Sequence, residues 1–167
     1  MTKNVVICDL DGTLADVNHR LHYIKNDDGT LKPYAERDWN SFNAACVDDK
    51  PNEDVIEILR SLAFGARPIY FLSGRNDVVR TETVEWLQKH VYEDLYPATY
   101  VPKRCDQRLL MRKADDRRPD TEVKLEMVRE LGLTPDDVLC ILDDRQCVVD
   151  MWRENGFRCL QVDAWEE

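Results

Sequence analysis

Short apolar runs that break off abruptly into charged or hydroxyl-bearing residues set the narrowest limit on how this chain folds. Val5, Val6, Ile7 and Cys8 lead directly into Asp9, Leu10, Asp11, Gly12 and Thr13 with no polar spacer. Arg67–Leu72 ends in Ser73, Gly74 and Arg75, Val138–Leu142 ends in Asp143, Asp144 and Arg145, and Arg158–Val162 closes the series, with Leu109–Met111 as a shorter candidate. Continuous β-branched runs of this length suit strands of a parallel sheet covered on both faces. Between them lie helical patterns. Glu53–Ala63 carries Val55, Leu59 and Leu62 on one face, and Val78–Val91 carries Val84, Leu87 and Val91. Thr121–Leu131 and Arg145–Asn155 stop at Gly132 and Gly156. Strands alternating with such helices predict right-handed crossovers and an α/β fold, doubly wound, with a mainly parallel sheet and helices on both faces.

One segment breaks the rhythm. Residues 18–50 hold polar turns (NDDG, DDKP) and scattered aromatics, Tyr23, Tyr34, Trp39 and Phe42. A structureless loop of that length is rare in a compact domain, so the segment is expected to be a small cap inserted after the first strand. The 167 residues fit one domain, 1–167, with that insertion. Six cysteines include no CxxC pair, and Cys8, Cys140 and Cys159 sit inside apolar runs, which predicts buried thiols in a reducing compartment rather than a disulfide framework or zinc site. There is no signal-peptide pattern and no apolar run long enough to span a bilayer, so the expectation is a cytoplasmic protein without a membrane partner. The net charge of −10 disfavours wholesale wrapping of nucleic acid but leaves room for a local basic site.

In an open parallel sheet, ligands bind beyond the carboxyl ends of the strands. Asp9 and Asp11, Ser73 and Arg75, and Asp143 and Asp144 fall at that edge on separate strands. The carboxylates gathered there repel one another unless a cation sits among them. With no His or Cys among them, an oxygen-only donor set points to a hard cation, and with positions left for water and phosphate, to Mg²⁺. Such a cation would let Asp9 approach a phosphate as a nucleophile.

DLDGTL at Asp9–Leu14, SGR at Ser73–Arg75, a lysine on a later helix and DD at Asp143–Asp144 resemble, in order and spacing, the haloacid dehalogenase superfamily of phosphotransferases. In DxDGTLA, SGR, DTEVK and DDRQCVVDMWRENGFRCLQV the chain is most similar to the 3′-phosphatase domain of phage-type polynucleotide kinase-phosphatases, over nearly its whole length except the cap. The resemblance implies a Rossmann-like sheet and assigns roles. Asp9 would become the aspartyl phosphate, while Asp11 would protonate the leaving oxygen and later activate water. That role needs Asp11 protonated near neutral pH, as neighbouring carboxylates would make it. Asp143 and Asp144 would hold Mg²⁺ with Asp9 and the main-chain carbonyl of Asp11. Thr13, Ser73 and Gly74 would line the phosphoryl group and Arg75 would grip it in a fork, with Arg20 and Asp120 as further substrate-binding positions.

Other readings of these residues stand beside those. Lys124 falls on the stripe Lys124, Met127, Val128, Leu131, where helix periodicity calls for an apolar residue. It either snorkels past a core edge or offsets charge on the nucleophile and phosphate. Asp120 is equally placed to cap the helix. Singly, Asp143–Asp144 could be a strand-end turn, Ser73–Gly74 a simple turn and Arg75 a surface ion pair. His19, His22 and His90 read as ordinary residues. The stretch 103–118, with Lys103, Arg104, Arg108, Arg112, Lys113, Arg117 and Arg118 against Asp106, Asp115 and Asp116, is either a rim for a phosphorylated strand end or a self-paired loop. No GxxxxGKS or GxxxxGKT occurs, so a P-loop kinase is absent, and the chain is expected to be a phosphatase half alone or part of a longer protein, with a kinase or ligase partner. The expected function is a Mg²⁺-dependent polynucleotide 3′-phosphatase acting on a phosphorylated nucleic acid end. A mononucleotide phosphatase and a non-catalytic Mg²⁺ or nucleotide-binding module are the alternatives.

Overall fold

The computed structural model describes residues 3–63, 67–92 and 105–165. Five strands, β1 (Val5–Cys8), β4 (Ile69–Asn76), β5 (Leu109–Arg112), β6 (Val138–Arg145) and β7 (Cys159–Trp165), form a sheet in the order β5-β4-β1-β6-β7. Every neighbouring pair in it is parallel. Parallel neighbours require crossovers, and the helices supply them: α2 (Glu53–Ala63), α3 (Arg80–Leu87), α4 (Asp120–Glu130) and α5 (Gln146–Glu154). The chain builds outward from β1 to β4 and β5, then returns to the other side of β1 for β6 and β7. That reversal leaves a crevice at the carboxyl end of β1, flanked by β4 and β6.

Successive side chains of a strand point to opposite faces, and the core divides accordingly. Val6, Cys8, Ile69 and Phe71 pack with Ile56 and Leu59 of α2 and Trp86 and Leu87 of α3. Ile7, Leu72 and Ile141 pack with Val123, Met127 and Val128 of α4 and Val149 and Trp152 of α5. The doubly wound expectation holds, and Cys8, Cys140 and Cys159 are buried as free thiols. Burial pushes the Cys159 thiol up to about 12.

Two strands run further than hydropathy indicates. β4 continues through Ser73, Gly74 and Arg75, and β6 through Asp143 and Asp144, because Ser73 stays in register with Met111 and Asp143 with Gln161. These polar residues are part of the sheet, not turns beyond it. The helix expected over Val78–Val91 is also composite. A 3₁₀ turn precedes α3, and a π turn, Gln88–Tyr92, follows it and brings Tyr92 edge-on to Phe71 at 5.8 Å between ring centroids. α4 and α5 stop just short of Gly132 and Gly156, as expected.

The segment after β1 has order of its own. β2 (Ala15–Asp16) and β3 (Lys50–Pro51) pair antiparallel and draw its two ends together. Between them lie 3₁₀ turns and α1 (Trp39–Ala44), whose first turn is capped by Asp38 accepting from the Ser41 N–H. Val17, Ile24 and Phe42 form a small core with Leu21, Tyr23 and Trp39 at its edge.

Leu59 is fully buried where α2 meets the sheet. Leu59→Ala is expected to lower unfolding stability by about 2–5 kcal/mol in urea titrations, with the slope of the unfolding free energy unchanged.

Candidate active site

Asp9 leaves β1 with its N–H still bonded to the carbonyl of Leu142, 2.9 Å away, so its carboxyl is fixed against β6. Asp143 and Asp144 come from β6 itself. One oxygen from each of Asp9, Asp143 and Asp144 falls within 4.8 Å of the others, and all three residues are buried. Lys124, 4 % exposed, reaches them from α4: its Nζ lies 2.7 Å from Asp9 Oδ1 and 2.9 Å from Asp143 Oδ2. Trp152 Nε1 donates to the same Asp143 oxygen at 3.2 Å, and Thr13 Oγ1 donates to Asp144 Oδ1 at 3.2 Å. The backbone turns beside this cluster at Gly12, φ 86°, where a Cβ would lie 2.1 Å from Asp144 Oδ2. Only glycine meets both conditions.

The charges do not balance. Burial, reinforced by Asp143, raises the Asp144 carboxyl to about 6, and burial raises Asp9 against the opposing pull of Lys124. Burial alone would lower the Lys124 ammonium, but Asp143 and Asp9 outweigh it and hold it above its ordinary value. Lys124 is therefore a buried ion-pair partner and not a snorkelling edge residue. One ammonium against three carboxylates leaves a buried negative excess with oxygen donors only, and that donor set fits a Mg²⁺ ion.

Asp11, two residues on, belongs to a different network. Its Oδ1 accepts from Arg75 Nε at 2.6 Å and Arg20 Nη2 at 2.7 Å. The same two guanidinium groups converge on Asp49, from Arg20 Nε and Nη2 at 2.7 Å and from Arg75 Nη2 at 2.6 Å. His19 Nε2 is 2.9 Å from Asp49 Oδ1, Trp86 Nε1 donates to the Asp49 carbonyl at 2.8 Å, and Phe42 lies 4.2 Å beneath the Arg20 guanidinium. Burial would raise the Asp11 carboxyl, but Arg75 and Arg20 prevail and hold it at about 2.

One expectation is corrected here, and the other candidate residues find their places. Asp11 is not protonated near neutral pH, because the charges nearest it are guanidinium groups and not carboxylates. Its side chain stands outside the acidic cluster. Arg20 is fully buried, with its donors engaged by Asp49, Asp11 and the carbonyl of Phe42 (3.1 Å), and so holds Asp11 in place. The fork of Arg75 is engaged in the same way, although Arg75 does border the cavity. Ser73 Oγ accepts from the Arg75 N–H at 3.1 Å, and neither Ser73 nor Thr13 reaches the cavity. Asp49 was not foreseen. It sits in a polar DDK turn like any other, and its partners lie 26 to 37 residues away.

Above these networks is a cavity of about 330 Å³ with Asp9, Asp11, Arg75, Lys124 and Asp144 at its base. Asp120 and Gly74 form one wall. Asp120 is the first residue of α4 and makes no capping bond; instead it pairs with Arg112 and, at 2.5 Å, with Arg145. A Cβ on Gly74 would lie 2.7 Å from Asp120 Oδ1, so the glycine lets this brace close. Tyr34, Arg37, Trp39 and Phe42 of the inserted segment and Arg117 and Arg118 of the β5–α4 connection also line it. In the basic stretch, Lys103 and Arg104 lie outside the described residues. Arg118 is paired with Asp116 (2.6 Å) and Glu126 (2.5 Å), and Lys113 approaches Asp77 at 3.7 Å. Much of the stretch is thus self-paired.

A family model for the polynucleotide kinase PNKP phosphatase domain matches residues 23–166. The match begins downstream of Asp9 and Asp11 and so stands apart from the DLDGT motif. A protein of Autographa californica nuclear polyhedrosis virus named for a bifunctional polynucleotide kinase/RNA ligase is 29% identical over 150 residues, 89% of this chain and 18% of that protein. A chain of the Pnkp1/Rnl/Hen1 RNA repair complex is 31% identical with a TM-score of 0.72, covering 98% of this chain and 44% of that one. The chain therefore spans less than half the length of either relative. The haloacid dehalogenase-like hydrolase SP0104 of Streptococcus pneumoniae has a TM-score of 0.56 at 16% identity, over 95% of this chain and 83% of that one, a likeness of fold alone.

Removing Asp49 strips two buried arginines of a shared carboxylate. Asp49→Ala is expected to cost about 3–5 kcal/mol in denaturant titrations. The acidic cluster makes a prediction of opposite sign to ordinary acid denaturation. Asp144 is raised from 3.8 to about 6, so the metal-free fold takes up a proton that the unfolded chain does not between those values. Its melting temperature in EDTA should rise as pH falls from about 7 to about 5, and Mg²⁺ should stabilise it more at the upper pH; a fall in EDTA over that range contradicts the imbalance.

Proposed function

Because the chain belongs to the family of polynucleotide kinase PNKP phosphatase domains, we propose that it removes the 3′-phosphate from polynucleotide ends, with Asp9 as the nucleophile. The observation that carries this reading is the pair Asp9 and Asp11. These two carboxyls lie two residues apart at the switch point of the sheet, Asp9 beside Lys124, Asp143 and Asp144, and Asp11 between Arg75 and Arg20.

In the proposed sequence an Asp9 carboxylate oxygen attacks phosphorus, the bond from phosphorus to the 3′-oxygen breaks, and Asp11 protonates that oxygen. Asp11, ionised again, then takes a proton from water as the water attacks the aspartyl phosphate, which releases inorganic phosphate and restores Asp9. Asp11 rests ionised, so its basic role is ready. For the acid role it must first gain a proton, and the arrival of an anionic phosphate beside Arg75, which borders the cavity, offsets the charge that holds its proton affinity down. Asp9, Asp143, Asp144 and the main-chain carbonyl of Asp11 would hold Mg²⁺, which when bound supplies the positive charge that a carboxylate needs to approach a phosphate. Lys124 orients Asp9 through its 2.7 Å contact and shares its charge with Asp143. Asp120 keeps Arg112 and Arg145 on the cavity wall.

We read residues 1–167 as one domain, with residues 18–50 as a cap over this site. The viral relative's name joins a kinase and a ligase, which favours a kinase or ligase as the partner that would use the dephosphorylated end. Among the described residues no helix is long and apolar enough to cross a membrane.

The test is phosphate release from a short 3′-phosphorylated oligonucleotide, in parallel with 3′- and 5′-mononucleotides. Mg²⁺-dependent release favouring the oligonucleotide is expected, with Asp9→Asn lowering kcat by at least about three orders of magnitude. Asp11→Asn should lower it by about 10²–10⁴-fold while Mg²⁺ binding persists. Preference for a mononucleotide would keep the chemistry and discard the end-processing role, and no release from any of them would leave a binding module.

A further inference from the structure

Two arginines on the cavity wall have no part in the chemistry above. Arg37 donates from Nε to the carbonyl of Lys32 at 2.8 Å, and its guanidinium carbon lies 5.7 Å from the centre of the Tyr34 ring. Arg117 is exposed in the β5–α4 connection. Neither makes an ion pair among the described residues. Every other lining cation does: Arg75 with Asp11 and Asp49, Arg112 and Arg145 with Asp120, Arg118 with Asp116 and Glu126, and Lys124 with Asp9 and Asp143. In a chain with 33 acidic and 23 basic side chains, two unpaired guanidinium groups on one cavity make an anion site with a charge still to satisfy.

Aromatic surface lies beside them. Tyr34 is 61 % exposed, and Trp39 is half-buried, edge-on to Phe42 at 5.6 Å. Aromatic faces next to cations are how single strands are held without regard to sequence: bases stack, and the backbone meets the charge. About 330 Å³ is at the small end of ligand sites, enough for roughly one nucleotide above the reacting phosphate.

We infer that this wall is a subsite for the strand adjoining the terminal phosphate, with the last base against Tyr34 and Trp39 and the first phosphodiester between Arg37 and Arg117, so that these residues make the enzyme prefer a polynucleotide to a mononucleotide. The inference rests on the 3′-phosphatase reading and adds its specificity determinant. Binding here is indifferent to base identity, and it requires one phosphodiester and no more.

The experiment compares kcat/KM for a 3′-mononucleotide, a dinucleotide bearing a 3′-phosphate and a longer 3′-phosphorylated strand, in ribose and deoxyribose series, for the wild type, Arg37→Ala, Arg117→Ala and the matching lysine variants. The readout is the ratio of dinucleotide to mononucleotide. The wild-type ratio should be well above one and should account for most of the gain of the longer strand in at least one sugar series. Each alanine variant should reduce the ratio roughly tenfold, and each lysine variant should restore part of it. The salt dependence of KM for the longer strand should flatten by about 0.7 in log–log slope for each arginine removed. Tyr34→Ala should erase the difference between a terminal nucleotide and its abasic counterpart. A wild type that prefers the dinucleotide, with a ratio untouched by either alanine variant, overturns the inference and leaves the 3′-phosphatase reading standing. A wild type that prefers the mononucleotide, or releases no phosphate from any substrate, overturns both.

Discussion

The ammonium of Lys124, shared between Asp9 and Asp143, is the contact on which the rest of the site depends. Three carboxylates buried at one sheet edge repel each other by several kcal/mol in any medium less polar than water. A fold that gathers them must carry its own compensation. Here it is partial: a single positive charge held on the sheet-facing side of α4, with Trp152 and Thr13 adding hydrogen bonds to two of the carboxylates. The remaining negative excess, carried by oxygen donors alone, is a donor set that fits a divalent cation better than a closed ion pair would.

Two residues further along, the same backbone presents Asp11 to the opposite electrostatic environment. Asp9 is surrounded by acids and Asp11 by guanidinium groups, and the turn at Gly12 allows the chain to pass close enough to Asp144 for both arrangements to coexist. The separation is structural before it is chemical. β6 supplies the acids on one side of β1, while β4 and the inserted segment supply the arginines on the other. A sheet whose strand order reverses at β1 is therefore what lets one short motif carry two carboxyls with opposed proton affinities.

Much of this was legible in the residues. Apolar runs and helix periodicity marked every strand of the main sheet, and Lys124 stood out because a charge occupied a position that periodicity reserves for the core. The acids of β1 and β6 could be placed together because strand ends in a parallel sheet meet. What could not be read depends on partners distant in sequence. The resemblance makes Arg20 and Arg75 substrate-binding positions, but nothing local to either discloses Asp49, which both of them grip. Strand ends were set too early at Leu72 and Leu142, because the hydropathy of a polar residue says nothing about whether its buried partners are in place. Asp120 looked like a helix cap from its position, yet its carboxylate braces two arginines across the wall.

The inserted segment contributes both Arg20 and Asp49, so the anchors of Asp11 lie within what would otherwise be an accessory covering. This restricts how the molecule can diverge. A wholesale exchange of residues 18–50 for a different covering would take the support of the proposed acid away with it, and so the segment is not a transferable module. The stretch around Tyr34 and Arg37 borders the cavity without touching Asp11 or Asp49. Within one short insertion, side chains that hold Asp11 in place adjoin side chains that reach only the cavity.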